Sequence, residues 1–536
     1  MGRDVDPDGP RLTEHRPSRG AWRTGGWLAA APALFLVVFY AWPVVSIVAR
    51  GFDLAAIADV LGDERQRSII WFTFWQAAVS TALTVAIGLV PAYVLARFRF
   101  AGRRTVLALV TVPFVLPTVA VGAAFLALLP DGMHRTAAAI IIAHVWINLA
   151  VVVRTVGAFA AGIDPQLHDA AATLGATPWQ AMRHLTLPLL RPAIVASATI
   201  VFLFCFTSFG VVRVLGGPSH PTLEVEVWRR TAQLLDLRTA SVLALVQLSC
   251  VAGLSWWWAR AQRRNAVALR STGDAARTAR TRATRVGVAA VAIGTAVAAI
   301  APLSLLVIRS LEPTPGQWGF GAWTAIADGS LATLWTSVRF AVAATLIAVV
   351  IGGLAALAIA AGGHSGRLLD VGLMLPLGTS AVTIGFGLLI TFDTPPFDFR
   401  GSMFMIPLGH ALVAVPFVVR AMLPALRAID PDLRAAAATL GAAPRRILVE
   451  IDLPLSRRAL ASGAGFAAAI SLGEFGATSF LTRTGRVTAP IEIERLLSRS
   501  STFNLSQAFA LATALTALTA LVVLAVDHLR DRRSPW

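Results

Sequence analysis

DPQLHDAAATLGATPWQAMRHLTLP, residues 164–188, occurs in the chain a second time as DPDLRAAAATLGAAPRRILVEIDLP, residues 430–454. The two copies lie 266 residues apart, since 430 − 164 = 266. One register shared over more than 80 residues indicates an internal duplication, so we expect two similar halves. Further pairs at the same offset are His144 with His410, Arg154 with Arg420, Phe209-Gly210 with Phe475-Gly476, and Glu226 with Glu492.

The composition is typical of a membrane protein. Of the 536 residues, 56% are hydrophobic and only 14% are charged, with a mean hydropathy of +0.70. A soluble chain carries about 25% charged residues. The apolar residues form blocks of roughly 20, long enough to cross a hydrocarbon core of ~30 Å. We therefore expect an all-α polytopic membrane protein.

The net charge of +17 raises the question of nucleic-acid binding, and the distribution of the arginines argues against it. The chain has no lysine, so all 46 basic residues other than histidine are arginines. They cluster on one side of the apolar blocks, as arginines of cytoplasmic loops do. We therefore expect a bilayer, and no nucleic acid, as the partner of this charge. The clusters lie within residues 3–23, 97–104, 260–285 and 530–533.

The apolar blocks predict two homologous six-helix transmembrane domains, 25–259 and 286–527, joined by a cytoplasmic linker at 260–285. Residues 1–24 and 528–536 are predicted to be cytoplasmic tails. Pro113 and Pro117 predict a kink in the third span. Twelve spans place both termini and both copies of the repeated stretch in the cytoplasm. The predicted spans are 27–48, 69–96, 106–129, 137–160, 189–215, 240–258, 286–307, 334–361, 368–390, 404–423, 459–481 and 505–526.

The repeated stretch is too polar to cross a membrane and predicts a short helix–turn–helix. Asp164-Pro165 is a helix start, with Asp as the cap and Pro in the first turn. Gly175 allows a sharp turn, and Thr177-Pro178 starts a second short helix that Pro188 ends. One hairpin in each half indicates a docking surface for a partner with two-fold character. The alternative is an amphipathic helix pair that only rests on the lipid headgroups.

The spacing of this stretch resembles the cytoplasmic loop of binding-protein-dependent ABC importer permeases, whose pattern is Glu-Ala-Ala, three residues, Gly, nine residues and Ile-x-Leu-Pro. The resemblance implies a type I ABC importer permease fold, in which each loop forms a coupling helix that docks on an ATP-hydrolysing subunit. The matching residues are Asp169, Ala170, Ala171, Gly175, Leu185, Leu187 and Pro188 in the first copy, and Ala435, Ala436, Ala437, Gly441, Ile451, Leu453 and Pro454 in the second.

The same resemblance implies the partners and the location: two ATP-binding subunits, an extracytoplasmic solute-binding protein, and the cell membrane. It also identifies a departure. Asp169 takes the family's acidic position, but Ala435 replaces it in the second copy, and Arg434 and Asp432 lie one and three positions out of register. Symmetric coupling of the two halves through this contact is therefore an open question.

No feature of the sequence predicts catalysis, a metal site or a cofactor. A P-loop requires a lysine, and the chain has none, so we expect ATP hydrolysis on separate subunits. Cys205 and Cys250 each lie in an apolar block and indicate neither a disulfide framework nor a metal site. The rival class is an ion-coupled secondary transporter, which usually carries several ionisable groups at mid-membrane.

Glu474 is the one clear carboxylate that the sequence places inside a span, and its counterpart in the first half is Ser208. One interpretation is that Glu474 bonds a neighbouring span or a backbone donor and stabilises packing. The other is that it lines a translocation path and favours a cationic solute. The predicted path residues are Ser208, Phe209, Glu474 and Phe475.

A second resemblance narrows the range of candidate solutes. Fused two-half permeases of this type resemble thiamine importers and iron(III) importers. Residues 203–250 and 72–77 resemble the thiamine permeases, although the Phe-Gly element and the following Gly-Gly are shared with the iron permeases. Thiamine or a related phosphate ester is the predicted solute, with iron(III) as the alternative. Outer residues that suit a cationic solute or a basic patch on a binding protein are Glu224, Glu226, Glu492 and Glu494.

Overall fold

The computed structural model describes residues 19–264, 277–278, 281–314, 316–399, 401–483, 485–499 and 501–531. Parts of the predicted tails (1–24 and 528–536) and of the predicted linker (260–285) lie outside these described residues.

The described chain is almost entirely helical, as expected for backbone that must satisfy its own hydrogen bonds in lipid. Short π-helical segments join several helices, at Val37–Ala41, Met182–Thr186, Ile326–Ser330 and Leu448–Asp452, and Asp131–Met133 is a 3₁₀ turn. Strands β1 (Phe98–Arg99) and β2 (Arg277–Thr278) form one short parallel pair.

The helices of the first half are α1 (Arg19–Leu36), α2 (Trp42–Gly51), α3 (Leu54–Gly62), α4 (Glu64–Arg97), α5 (Arg103–Val115), α6 (Thr118–Leu128), α7 (Ala137–Ala161), α8 (Pro165–Thr173), α9 (Pro178–Ala181), α10 (Leu187–Phe206), α11 (Gly210–Leu215), α12 (Leu223–Ala232) and α13 (Leu237–Arg264). Those of the second half are α14 (Arg282–Ser310), α15 (Gly321–Ala325), α16 (Leu331–Ala360), α17 (Gly363–Gly378), α18 (Ala381–Thr391), α19 (Met405–Arg427), α20 (Pro431–Thr439), α21 (Pro444–Ile447), α22 (Leu453–Gly473), α23 (Thr478–Leu481), α24 (Ala489–Leu497) and α25 (Thr502–Asp531).

Within the described residues, nine helices are long and apolar enough to cross a membrane, and two bent helix pairs bring the number to 11. The eleventh predicted span, 459–481, corresponds to α22 and α23 and is not among them. Helix α22 occupies the same place in its half as α10, whose apolar segment is among the nine. The architecture is therefore that of a duplicated polytopic membrane protein.

The third span is sharply bent, as the prolines predict. The helix axis bends by 109° between α5 and α6, and Leu116 is extended immediately before Pro117. A residue before proline is disfavoured in the helical region, so the helix ends there. The second half repeats the feature, because α17 and α18 meet at 102°.

The two halves are interlocked through their first spans. Leu28 and Phe35 of α1 are buried in a cluster formed mainly by helices of the second half, and the Tyr40 hydroxyl lies 2.6 Å from Thr379 Oγ1. In return, α14 of the second half packs against α5 and α6 of the first half. Trp146 Nε1 donates a hydrogen bond of 2.8 Å to the carbonyl of Ala298 in α14. Each half thus contributes its first span to the bundle of the other.

The contact between α18 and the segment before α23 allows no side chain at Gly385. A Cβ added there would lie 2.6 Å from Ala477 Cα, which is backbone and has no rotamer to change. We predict that Gly385→Ala lowers the free energy of unfolding by ~1–3 kcal/mol through overpacking. Thermal unfolding of the purified protein measures the change.

The matched control is Gly294→Ala in α14, where an added Cβ has no neighbour within 4 Å. This control should not lose stability. Equal thermal stability of Gly385→Ala and the unchanged protein would contradict the close contact.

Candidate functional sites: two hairpins and a cavity between the halves

The repeated stretch forms the same hairpin in both halves, with every boundary shifted by the repeat offset. Helices α8 and α20 start at capping aspartates, since Asp164 and Asp430 each accept a backbone N–H bond of 2.9 Å. Gly175 and Gly441 both have φ of +80°, the left-handed conformation that favours glycine, and they form the turn. A π-helical segment then joins each hairpin to α10 or α22.

The turn of each hairpin presents apolar side chains to solvent. Leu174 is 87% exposed and Leu440 is 89% exposed, at equivalent positions. Exposed apolar residues grouped in this way are typical of a surface that binds another protein. Of the residues that match the loop pattern, the exposed ones are Asp169, Ala170, Gly175, Leu187, Pro188, Ala435, Ala436, Gly441 and Pro454, and the half-buried ones are Ala171, Leu185, Ala437, Ile451 and Leu453.

The fifth and eleventh predicted spans are both broken, which corrects their prediction as continuous helices. Helix α10 ends at Phe206, α22 ends at Gly473, and each is followed by a short helix after an irregular segment. In the second half the cause is visible. The Glu474 carboxylate accepts backbone N–H bonds from Ala477 (2.9 Å) and Thr478 (3.0 Å). A side chain that caps a new helix in this way ends the preceding one.

A buried histidine holds each break. His410 Nε2 lies 2.7 Å from Thr478 Oγ1 and 3.3 Å from Glu474 Oε2, and its Nδ1 lies 2.7 Å from Ser471 Oγ. In the first half, His144 Nε2 lies 2.8 Å from Ser208 Oγ. Both histidines are 1% exposed. The sequence contained the signal for this role, because the histidine recurs at the repeat offset inside an apolar span, but it did not identify what the histidine binds.

The two breaks meet at a cavity of about 290 Å³ between the halves. Phe209 and Phe475, which are repeat equivalents, stack across it with ring centroids 5.1 Å apart and an interplanar angle of 22°. All four predicted path residues line this cavity, so the structure brings them together. Other side chains that line the cavity are Phe114, Phe204, Thr118, His144 and Asn148.

The close approach that closes the cavity wall depends on glycine. Gly210 follows Phe209, and a Cβ there would lie 3.0 Å from Thr118 Cβ. Its equivalent, Gly476, faces Ala381 Cβ at 3.1 Å. The break after α10 therefore packs directly against the bend between α5 and α6, and the break after α22 packs against the bend between α17 and α18.

An ion pair joins the halves beside the cavity. Arg213 of α11 lies 2.7 Å from Glu494 of α24, and its guanidinium carbon lies 4.1 Å from the centre of the Trp228 ring. The predicted outer carboxylates are thus largely engaged within the chain. Glu226 pairs with Arg229 and Arg230, Glu492 lies 3.8 Å from Arg495, and Glu224 accepts a bond from Gln247.

The matching family and the similar curated proteins are all membrane components of transport systems. The profile of the family described as binding-protein-dependent transport system inner membrane component matches residues 84–267 and 348–535. The Thiamine transport system permease protein ThiP of Brucella abortus is 27% identical over 520 residues, covering 90% of this chain and 91% of that protein. ThiP of Escherichia coli is 25% identical over 448 residues, covering 77% and 80%. The Probable ABC transporter permease protein y4fN of Sinorhizobium fredii is 24% identical over 523 residues, covering 90% of each chain.

The Glu474 carboxylate caps the backbone after the break in α22, as its two backbone hydrogen bonds show. Its role can be tested against that of Ser208, the residue at the equivalent position of the first half. We predict that Glu474→Ala lowers the free energy of unfolding by ~1–3 kcal/mol, because it leaves buried N–H groups without an acceptor. Thermal unfolding of the purified protein measures the loss.

The matched control is the repeat equivalent, Ser208→Ala. Within the part of the chain that the structure describes, Ser208 Oγ has one hydrogen-bond contact, with His144, and accepts no backbone N–H, so the loss should be smaller. Equal losses for the two variants would contradict the capping role of Glu474.

Proposed function

Because the chain belongs to the family of binding-protein-dependent transport system inner membrane components, we propose that it is the permease of an ATP-driven importer for thiamine or a thiamine phosphate. The observation that carries the proposal is the pair of hairpins, which present equivalent exposed leucines at equivalent turns. Two copies of one docking surface suit two ATP-binding subunits. The chain itself contains no lysine for a P-loop, so hydrolysis belongs to those subunits.

In this proposal both hairpins and both termini face the cytoplasm, and the protein resides in the cell (inner) membrane. The arginine clusters support this orientation, because they flank the spans on the same side as the hairpins. A solute-binding protein docks on the opposite side, on the outer loops near 216–238 and 483–503. These loops contain α12 and α24, whose residues Trp228 and Glu494 both contact Arg213.

The transport cycle follows from the contacts around the cavity. Solute released by the binding protein enters the cavity between the halves. The Phe209–Phe475 stack and the Arg213–Glu494 ion pair both connect the halves there, so opening of the path toward the binding protein separates them. Closure of the ATP-binding subunits moves both hairpins together, and the halves rock about the cavity.

The lining of the cavity supports thiamine over iron(III). Aromatic faces attract organic cations, and phenylalanines supply four rings of the lining. The volume lies at the lower end of the range for small-molecule sites, which suits one small solute. Iron(III) is a hard cation that binds several oxygen ligands. The Glu474 carboxylate already accepts two backbone hydrogen bonds, so the iron alternative has less support.

Docking through the hairpins is tested by Gly175→Trp. Gly175 is exposed, and a Cβ added there meets no described atom within 4 Å, so we expect an indole to protrude into the docking surface. We predict that ATP-dependent uptake falls ~10-fold or more, since one blocked contact at the centre of an interface commonly costs that much. Uptake of labelled thiamine by vesicles carrying the whole transporter measures the effect.

Gly102→Trp is the matched control. Gly102 has φ of +85° and is exposed, and a Cβ added there has no described neighbour within 4 Å, but it lies between α4 and α5 and outside the hairpins. This variant therefore carries the same backbone strain and should retain uptake. Equal uptake by the two variants at equal expression would contradict docking at the hairpin.

The solute is tested by competition. We predict that unlabelled thiamine and thiamine phosphate suppress uptake of labelled thiamine, and that an iron(III)–citrate complex at the same concentration does not. Suppression by iron(III), together with uptake of labelled iron, would replace thiamine with the alternative solute.

A further inference from the structure

The two hairpins are attached to the membrane helices by arginines from different places in the chain. In the first half, Arg97 at the end of α4 donates a 3.1 Å bond to the carbonyl of Ile163, next to the hairpin. In the second half, the equivalent carbonyl, that of Ile429, lies 3.5 Å from Arg434 Nη1, an atom of the hairpin itself. The equivalent of Arg97 at the end of α16 is Ala361, whose methyl group cannot donate a hydrogen bond.

The remaining contacts that hold each hairpin also come from different residues in the two halves. Arg97 Nη2 lies 3.3 Å from His168 Nδ1, and His168 Nε2 lies 3.0 Å from Thr186 Oγ1. These contacts link α4 to α8 and then to the π-helical segment before α10. In the second half Arg434, the equivalent of His168, pairs at 2.8 Å with Asp452, the equivalent of Thr186. It also donates a 3.1 Å bond to the carbonyl of Leu426 in α19.

Each hairpin is therefore tied to its own flanking helices, but only the first is tied to the second span of its half through these groups. In the second half, a cavity of about 500 Å³ lies between the hairpin and the end of α16, the counterpart of α4. Arg434, Ala435 and Asp452 line that cavity on the hairpin side, and Leu357 and Ala360 line it on the side of α16.

Helix α4 also reaches the wall of the central cavity, which α16 does not do by the same contacts. Gln76 Nε2 donates a 2.9 Å bond to the carbonyl of Cys205, just before the break after α10. Ser80 Oγ lies 3.4 Å from His144 Nδ1, the histidine that holds that break. The matching contacts of Thr73 with Leu223 and of Ser337 with Ala489 align α4 with α16 at an offset of 264. The equivalents of Gln76 and Ser80 are therefore Phe340 and Ala344, which are buried but carry no side-chain hydrogen-bonding group.

From these contacts we propose that α4 acts as a strut, a rigid helix that transmits movement of the first hairpin to the cavity wall. Arg97 is the positioning residue at the end of α4 next to the hairpin. Among the described residues, the second hairpin has no such strut, because Arg434 bonds to the carbonyls of Leu426 and Ile429 and to Asp452 in the segment before α22. This inference rests on the proposed function, in which hairpin movement drives transport. It makes the first half the one that converts docking movement into rearrangement of the solute path.

The attachment is tested on the purified permease alone, by hydrogen–deuterium exchange. Arg97→Gln is expected to raise exchange about tenfold or more in residues 163–173 and at the end of α4, because a buried charge-assisted bond is lost. Arg434→Gln should raise exchange in 430–439 and not at the end of α16. The controls are Arg104→Gln and Arg446→Gln, which remove exposed arginines near the same elements.

Transfer of the Arg434–Asp452 pair to the first hairpin distinguishes loss of the hairpin's own structure from loss of its link to α4. The triple variant Arg97→Gln, His168→Arg, Thr186→Asp gives the first hairpin the internal pair of the second. It should restore protection of 163–173, while the end of α4 stays as exchangeable as in Arg97→Gln. Restoration at both places, or exchange in Arg97→Gln equal to that in Arg104→Gln, overturns the strut.

Transmission is tested in vesicles carrying the whole transporter, as solute moved per ATP hydrolysed. Arg97→Gln and the triple variant should both lower this ratio several-fold while ATP hydrolysis stays within about twofold, because docking persists and transmission does not. A ratio equal to that of Arg104→Gln overturns the proposal. If the unchanged transporter shows no ATP-driven uptake, the proposed function fails, and the exchange comparison alone decides whether the attachment exists.

Discussion

A break in a membrane-spanning helix leaves backbone groups that lipid cannot satisfy, and this constraint organises the centre of the molecule. In the second half the N–H groups freed by the break are bonded by Glu474, which His410 contacts in turn. In the first half, His144 contacts Ser208 within the break. Because these groups are buried and polar, they have to be placed accurately, and that placement creates the cavity wall. The cavity between the halves is thus a consequence of how the backbone groups of two irregular segments find hydrogen-bond partners.

The interlocking of the halves explains why these breaks can face each other. Each half contributes its first span to the other bundle, so the halves are connected around the cavity as well as across it. Near the cavity, the contacts between the halves include the Phe209–Phe475 stack, the Arg213–Glu494 ion pair and the close approach of Gly473 to Pro117. The hairpins lie at the far end of the same helices. In the duplicated plan, the first spans thus connect the halves at the perimeter, and the two breaks face each other at the centre.

Much of the fold was predictable from the sequence, because a repeat with one fixed offset carries long-range information that a single segment does not. The offset located the hairpins, and Pro113 and Pro117 predicted the bend of the third span. The breaks were not predicted, because apolar residues continue on both sides of Ser208 and Glu474 and hydropathy does not register a cap. The different roles of Arg97 and Arg434 depend on which side chain reaches a carbonyl in space. Since Arg97 has no counterpart in the repeat, the pattern gave no indication of it.

We propose that this duplicated membrane protein moves solute only when nucleotide is hydrolysed by partners docked on its two hairpins. The most direct measurement is solute uptake by sealed vesicles containing the permease, its ATP-binding subunits and its binding protein, compared with ATP present and with a proton or sodium gradient alone. We expect uptake with ATP and none with either gradient. Uptake that follows an ion gradient in vesicles lacking the ATP-binding subunits would contradict the account.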